Sequence, residues 1–359
     1  MVADRAYSRR GFTAGLGALL AVGACRNPTP AAQGGVADAA LAEATTIDMH
    51  SHAGNFMRRG QTFEALARAM RSGRLSVACL ATVADGPLNR VVEGGRIKSV
   101  RQPEPGELVR YSRESFERVL RLAGEQGLGV ITTAAELDAA RTAGPAVVIA
   151  AEGGDFLEGQ LERLDEFHAT YRLRHLQLTH YRPNEIGDIQ TEPAVHGGLS
   201  AFGTDVVRAC NRLGIVVDVA HAPYDMVMRV AAVSDRPLVL SHSSLSRSPP
   251  AFSRLITPDH AKAVAATGGV IGVWPVRAFF PTRAAYATGI ARMVEVVGVD
   301  HVGIGTDMRG IPGGSVFDDY ADLPDVVAEL VSAGFDAEAI GKILGGNYRR
   351  VFAATLARA

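Results

Sequence analysis

"GLSAFGTDVVRACNRLGIVVDVAH", residues 198–221, joins an amphipathic run (200–213) to a short β-branched run that ends on a histidine (214–221). An apolar strand closed by a polar residue recurs along the chain. His50 and His52 close "TTIDMHSH" (45–52), Glu152 closes "PAVVIAAE" (145–152) and His180 closes "LRHLQLTH" (173–180). His242 closes "RPLVLSH" (236–242) and Asp307 closes "DHVGIGTD" (300–307). Two further apolar runs, 75–83 and 267–274, bring the strands to eight. The amphipathic stretches 61–73, 113–126, 200–213, 224–234, 258–267 and 283–298 lie between them. Near-continuous apolar strands separated by helices predict a parallel sheet covered on both faces. Eight such units fit an α/β fold of the closed (β/α)8 TIM-like type, whose site lies at the C-terminal strand ends. An open doubly wound sheet is the alternative, but no GxGxxG follows the first strand.

The chain has 359 residues, 47% of them hydrophobic, which is enough for one large barrel over 45–359. A net charge of −1 gives no general attraction to nucleic acid or to anionic membranes. The three cysteines, Cys25, Cys79 and Cys210, form no CxxC or finger spacing. Cys79 and Cys210 sit in apolar runs and are expected to be buried as small hydrophobes. Two connections are long, 84–112 and 181–199, and loops of that size in a compact domain commonly serve as lids.

Residues 1–24 read as an export signal. Arg9 and Arg10 precede a mildly apolar, Gly-rich run that is too short to span a bilayer. The pair resembles a twin-arginine signal. "VGAC" ends the run and resembles a lipobox, which makes Cys25 an expected lipid anchor; cleavage after Ala24 is the alternative. Residues 25–44, rich in Ala, Pro and Gly, are expected to form a flexible tether. A periplasmic enzyme or a membrane-anchored lipoprotein is the resulting expectation.

In a barrel the polar strand ends meet at one mouth. His50 and His52, two apart on one strand, point to the same side and suit one metal ion. His221 and His242 end adjacent strands and suit a second, and Glu152 can offer one oxygen to each. Imidazole nitrogen and carboxylate oxygen are zinc donors, so two zinc ions, or other divalent metals, are expected. No lysine ends a strand, which disfavours a carboxylated-lysine bridge and leaves Glu152 as the bridge candidate. A water shared by two zinc ions ionises at about pH 7 or below, and Asp307 beside it can take the proton. His175, His196, His260 and His301 fall in strand interiors, loops or helices, and His168 on a helix surface; structural or solvated roles are expected for these.

Four segments, 198–221, "PLVLSHSS" (237–244), "HVGIGTD" (301–307) and "GGNYRRVF" (345–352), together resemble the membrane (renal) dipeptidase family, zinc peptidases of the amidohydrolase superfamily. The resemblance implies a TIM-like barrel with two zinc ions bridged by Glu152, and a dipeptide or similar small amide as substrate. It implies His221 and His242 as ligands of the second zinc, His180 as the group that polarises the substrate carbonyl, and Asp307 as the acid–base residue. It implies Arg254, in "SRLITPD", as the holder of the substrate carboxylate, with local spacing shifted by about one residue. It also suggests a homodimer. The chain departs from the family twice. His50-Ser51-His52 stands where the family has His-x-Asp, removing one negative charge, and "DMRG" replaces "DFDG", placing Arg309 near the mouth. These departures motivate an alternative substrate class of N-acyl amino acids, lactones or other small amides. A metal-binding protein without catalysis is the remaining alternative.

Overall fold

The computed structural model describes residues 30–54 and 65–357. Eight parallel strands form the barrel: β1 (Ile47–Ser51), β2 (Val77–Val83), β3 (Ala146–Glu152), β4 (Leu173–Gln177), β5 (Val216–Asp218), β6 (Val239–Ser243), β7 (Val270–Val273) and β8 (Val302–Ile304). They pair in that order around the sheet. The longest ladder joins Val77–Val83 of β2 to Ala146–Glu152 of β3. β8 returns to β1 just beyond its own ladder: Asp307 N–H donates to His50 O (2.9 Å) and His52 N–H donates to Met308 O (3.0 Å).

Strands buried on both faces explain the near-continuous apolar runs. Val77, Cys79 and Ala81 of β2 and Ala146, Val148 and Ala150 of β3 join Val216, Val239 and Val270 in one apolar cluster inside the barrel. Tyr348, Val351 and Phe352 of the helix Asn347–Leu356 belong to the same cluster. The intervening residues, among them Leu80, Val147 and Ile149, pack outward with Phe116, Phe156 and Phe167. The 198–221 unit shows how one layer is built. Ser200 Oγ accepts the Gly203 N–H (2.9 Å) and starts the helix Ala201–Leu213. That helix buries Val206, Val207 and Cys210, and Gly214 ends it at φ 70°, a left-handed conformation that glycine adopts without strain. Cys79 and Cys210 are buried free thiols, as expected.

Three differences from expectation concern segment ends. Strands 173–180, 214–221 and 300–307 leave their ladders three residues early, so His180, His221 and Asp307 stand on the turns just above β4, β5 and β8. His221 (φ 68°) and Asp307 (φ 48°) have left the extended region, which marks the turn of the backbone at the mouth. The loop 84–112 contains a hairpin (Asn89–Val91 with Ile97–Ser99) and the start of the helix Glu107–Glu125. Finally, the tether expected over 25–44 is corrected for residues 30–43, which form a helix (Pro30–Glu43). Its Ala-rich end favours helix, and Ala40 and Leu41 bury against the barrel's last helices. The expected signal (1–24, with Arg9 and Arg10) and Cys25 lie outside the described residues. Among the described residues no helix is long and apolar enough to cross a membrane.

Candidate metal centre

Five buried side chains converge at the C-terminal end of the barrel: His50, His52, Glu152, His221 and His242. They divide into two triads that share Glu152. His50 Nε2 and His52 Nε2 are 3.2 Å apart, and lie 3.5 Å from Glu152 Oε1 and 3.2 Å from Oε2 respectively. His221 Nε2 and His242 Nε2 are 3.3 Å apart, and lie 3.3 and 3.7 Å from Glu152 Oε1. A tetrahedral zinc with bonds of about 2.0–2.1 Å spaces its donors about 3.3–3.4 Å apart. Both triads fit that requirement, and the all-N/O donor set suits zinc.

The other ring nitrogen of each histidine is held from behind. His52 Nδ1–H donates to Ala81 O (3.0 Å) and His221 Nδ1–H donates to His180 O (3.0 Å). His242 Nδ1 meets Ser241 Oγ at 2.9 Å, and His50 Nδ1 meets the same hydroxyl at 3.5 Å. A carbonyl can only accept, so it fixes the tautomer that leaves Nε2 free as a ligand. Burial, and then the Arg254 guanidinium, push His221 well below the ordinary imidazole range. Burial and the His50 ring do the same to His242. Burial alone would raise the Glu152 carboxyl, but the imidazoles of His180, His50 and His52 outweigh it and hold Glu152 well below the usual carboxylate range. At His52 burial opposes the charge, yet Glu152 and Asp307 prevail and lift it to about 10. A cation arriving there must displace that proton.

The remaining predicted residues line the same pocket. Asp307 Oδ1 is 3.3 Å from His52 Nε2. A side chain on Gly310 would collide with the Asp307 carboxylate and the His52 ring, so glycine is required beside them. His180 Nε2 lies 3.3 Å from Glu152 Oε2. Burial lowers the affinity of His180 for its second proton, whereas Asp85 and Glu152 raise it, and the net shift is upward. Arg254 is half-buried, donates through Nη1 to Gln190 Oε1 (2.7 Å), and stacks over Trp274 at 5.6 Å. Its Nε has no hydrogen-bond partner, and among the described residues no carboxylate pairs with it. Arg309 also lines the pocket, as its place in "DMRG" suggested.

Sequence reasoning missed Asp85, Asn89, Tyr181 and Trp274. The last three line the pocket, and Asp85 Oδ1 accepts the His180 Nδ1–H at 2.6 Å. A signal for two of them existed: Asp85 follows the second strand run and Trp274 ends the seventh, in the pattern seen at the other strands. The remaining histidines stay out of the centre. His175 is buried between Tyr348 and Asp218, and His301 Nδ1–H donates to Gly269 O (2.8 Å).

A sequence model of the family described as membrane dipeptidase (peptidase family M19) matches residues 39–359. The chain is 33% identical to the dipeptidase verJ of Clonostachys rogersoniana over 189 residues, 50% of this chain and 48% of that one. It is 29% identical to dipeptidase 3 of Mus musculus over 266 residues, 70% of this chain and 52% of that one. The chain thus spans about half the length of the curated relatives it matches. Among solved structures, an amidohydrolase from Pseudomonas aeruginosa superposes with a TM-score of 0.73 at 20% identity, covering 89% of this chain and 99% of that one. A metallopeptidase from Rhodobacter sphaeroides, liganded with a phosphinate mimic of the dipeptide L-Ala-D-Ala, superposes with a TM-score of 0.72 at 20% identity, covering 87% and 99%. Likeness at that identity establishes the shared barrel.

Proposed function

The chain belongs to the membrane dipeptidase family, and from that membership we propose that it is an exported binuclear zinc dipeptidase. One observation carries the reading: two histidine pairs share one buried carboxylate, in a pocket that also holds a second carboxylate and a half-buried guanidinium with no acidic partner among the described residues.

His50, His52 and Glu152 would hold one ion, and Glu152, His221 and His242 the other. Such ions supply Lewis acidity and bring a water's pKa near neutrality. The chain's own groups do the rest. Arg254 receives the C-terminal carboxylate of the dipeptide, a charge-assisted contact that fixes its orientation. His180, in the same pocket, donates from Nε2 to the oxygen that gains charge as the carbonyl becomes tetrahedral. Asp307 takes the proton of the attacking water and returns it to the departing amine. The apolar walls, Val83, Ile97 and Trp274, limit water around these groups. Residues 1–24 support export, with Cys25 as the proposed anchor.

His52 and Arg309 favour a second reading within the same superfamily. A site with one carboxylate fewer and one guanidinium more suits N-acyl amino acids or lactones, which lack an α-ammonium. The test is elemental analysis together with a substrate panel of L,L- and L,D-dipeptides, N-acyl amino acids and lactones. Two zinc ions per chain and fastest turnover of a dipeptide are expected. Active protein without metal would end the zinc mechanism, and turnover confined to blocked substrates would establish the second reading.

A further inference from the structure

We propose that Asp85 is a positioning residue that sets the His180 ring for the reaction. Asp85 is fully buried two residues beyond β2, and no lysine or arginine pairs with it among the described residues. Its carboxylate instead collects three donors from two loops. Oδ1 accepts the His180 Nδ1–H (2.6 Å) and the Asn89 Nδ2–H (2.8 Å), and Oδ2 accepts the Tyr181 backbone N–H (3.1 Å). A buried carboxylate without a cationic side chain beside it is costly unless hydrogen bonds satisfy it, and here every bond it makes is to a donor.

The consequence is geometric. With Nδ1 and the following backbone N–H both held by one carboxylate, the His180 ring cannot turn about its side-chain bonds. Its Nε2 is therefore presented to the pocket, 3.3 Å from Glu152 Oε2. The same segment orients a ligand, since His180 O accepts the His221 Nδ1–H. Asn89 begins the hairpin over the mouth and lines the pocket with Ile97. Its amide orientation is settled as well, because a carboxylate only accepts and so faces Nδ2. Asp85 thus ties the roof of the pocket to the group on its wall.

The kinetic side of this inference rests on the dipeptidase reading, whereas the structural side does not. In zinc-loaded full-length protein, Asp85→Asn leaves one acceptor oxygen in place of two. It should lower kcat roughly 10- to 100-fold, the usual cost of losing an orienting partner, while zinc content stays unchanged and KM moves less than about threefold. On a His180→Gln background it should cost nothing further. Losses that add across the two substitutions, or a loss that merely follows zinc content, would overturn the proposal. Independently of turnover, 15N-labelled histidine should show one far-downfield Nδ1–H signal that is absent in His180→Gln and absent or shifted upfield in Asp85→Asn. An unchanged signal in Asp85→Asn overturns the proposal even if the protein cleaves no dipeptide; a lost signal in a protein inert to dipeptides supports the positioning and rejects the dipeptidase reading. If Asp85→Asn does not fold, Asp85→Glu keeps the charge and displaces it by one methylene, and the same selective loss of kcat is expected; unaltered kcat there counts against the proposal.

Discussion

Arg254 lines the pocket and no carboxylate among the described residues forms an ion pair with it, which makes its proposed role separable from that of Asp307. Replacing Arg254 with Met removes a charge-assisted contact worth about 1.5–3 kcal/mol, so kcat/KM for dipeptides with a free carboxylate should fall roughly 10- to 150-fold. C-terminally amidated analogues, which cannot use the guanidinium, should change little; equal losses for both series would remove Arg254 from substrate binding. Asp307→Asn keeps size and shape, and Asp307 belongs to neither triad. It should retain two zinc ions by elemental analysis while kcat drops about 10²–10⁴-fold. Full turnover would sink its acid–base role. The positions of both side chains were legible in sequence, Asp307 because it ends a strand and Arg254 only through the family resemblance. The pairing of Asp85 with His180 was not, although Asp85 follows a strand run, because the two are 95 positions apart in different loops. No periodicity links two loop residues; only the closed barrel brings them together.

The strands show where sequence patterns succeed and where they stop. All eight were legible because burial on both faces demands unbroken apolar runs. Their ends were not, because the apolar character of "LQLTH" or "VDVAH" continues while the backbone turns toward the mouth. The helix Pro30–Glu43 was misread for a related reason. Its Ala, Gly and Pro content is that of a linker, and its apolar contacts, Ala40 and Leu41 with Val36 and Ala37 beside them, are invisible without the surface they meet. Those contacts have a measurable weight. Deleting residues before 45 exposes the face covered by Ala40 and Leu41 and should destabilise the barrel by about 2–4 kcal/mol. The urea midpoint should fall accordingly while kcat at 25 °C stays the same, because no residue of that helix touches the pocket. An unchanged midpoint would restore the tether reading for this segment.

At the scale of the whole molecule, the site and the fold share residues. The candidate ligands come from β1 and the residue that follows it, from β3 and β6, and from the turn above β5, so an ion bound to either triad would tie separate strands together and add stability by linkage. Acid undoes this by protonating ligands, but a second acid-sensitive group lies outside the centre. His260, in the helix Pro258–Ala265, is buried, and its Nε2 lacks a hydrogen-bond partner. Burial first, and the Arg254 charge second, lower it from the ordinary imidazole value of 6.5 to about 4. Between those two pH values the unfolded chain binds a proton that the folded chain refuses. The folded state is therefore fully favoured above pH 6.5 and loses stability as pH falls toward 4, at about 1.4 kcal/mol per pH unit and about 3 kcal/mol at most. His260→Gln keeps a polar side chain that does not titrate. In excess zinc, so that ligand protonation is common to both proteins, urea midpoints measured from pH 7 to 4.5 should fall less steeply in His260→Gln, by close to one proton's worth of slope. Parallel curves for the two proteins would show that His260 is protonated in the fold as readily as in the open chain, and that the acid sensitivity lies in other groups.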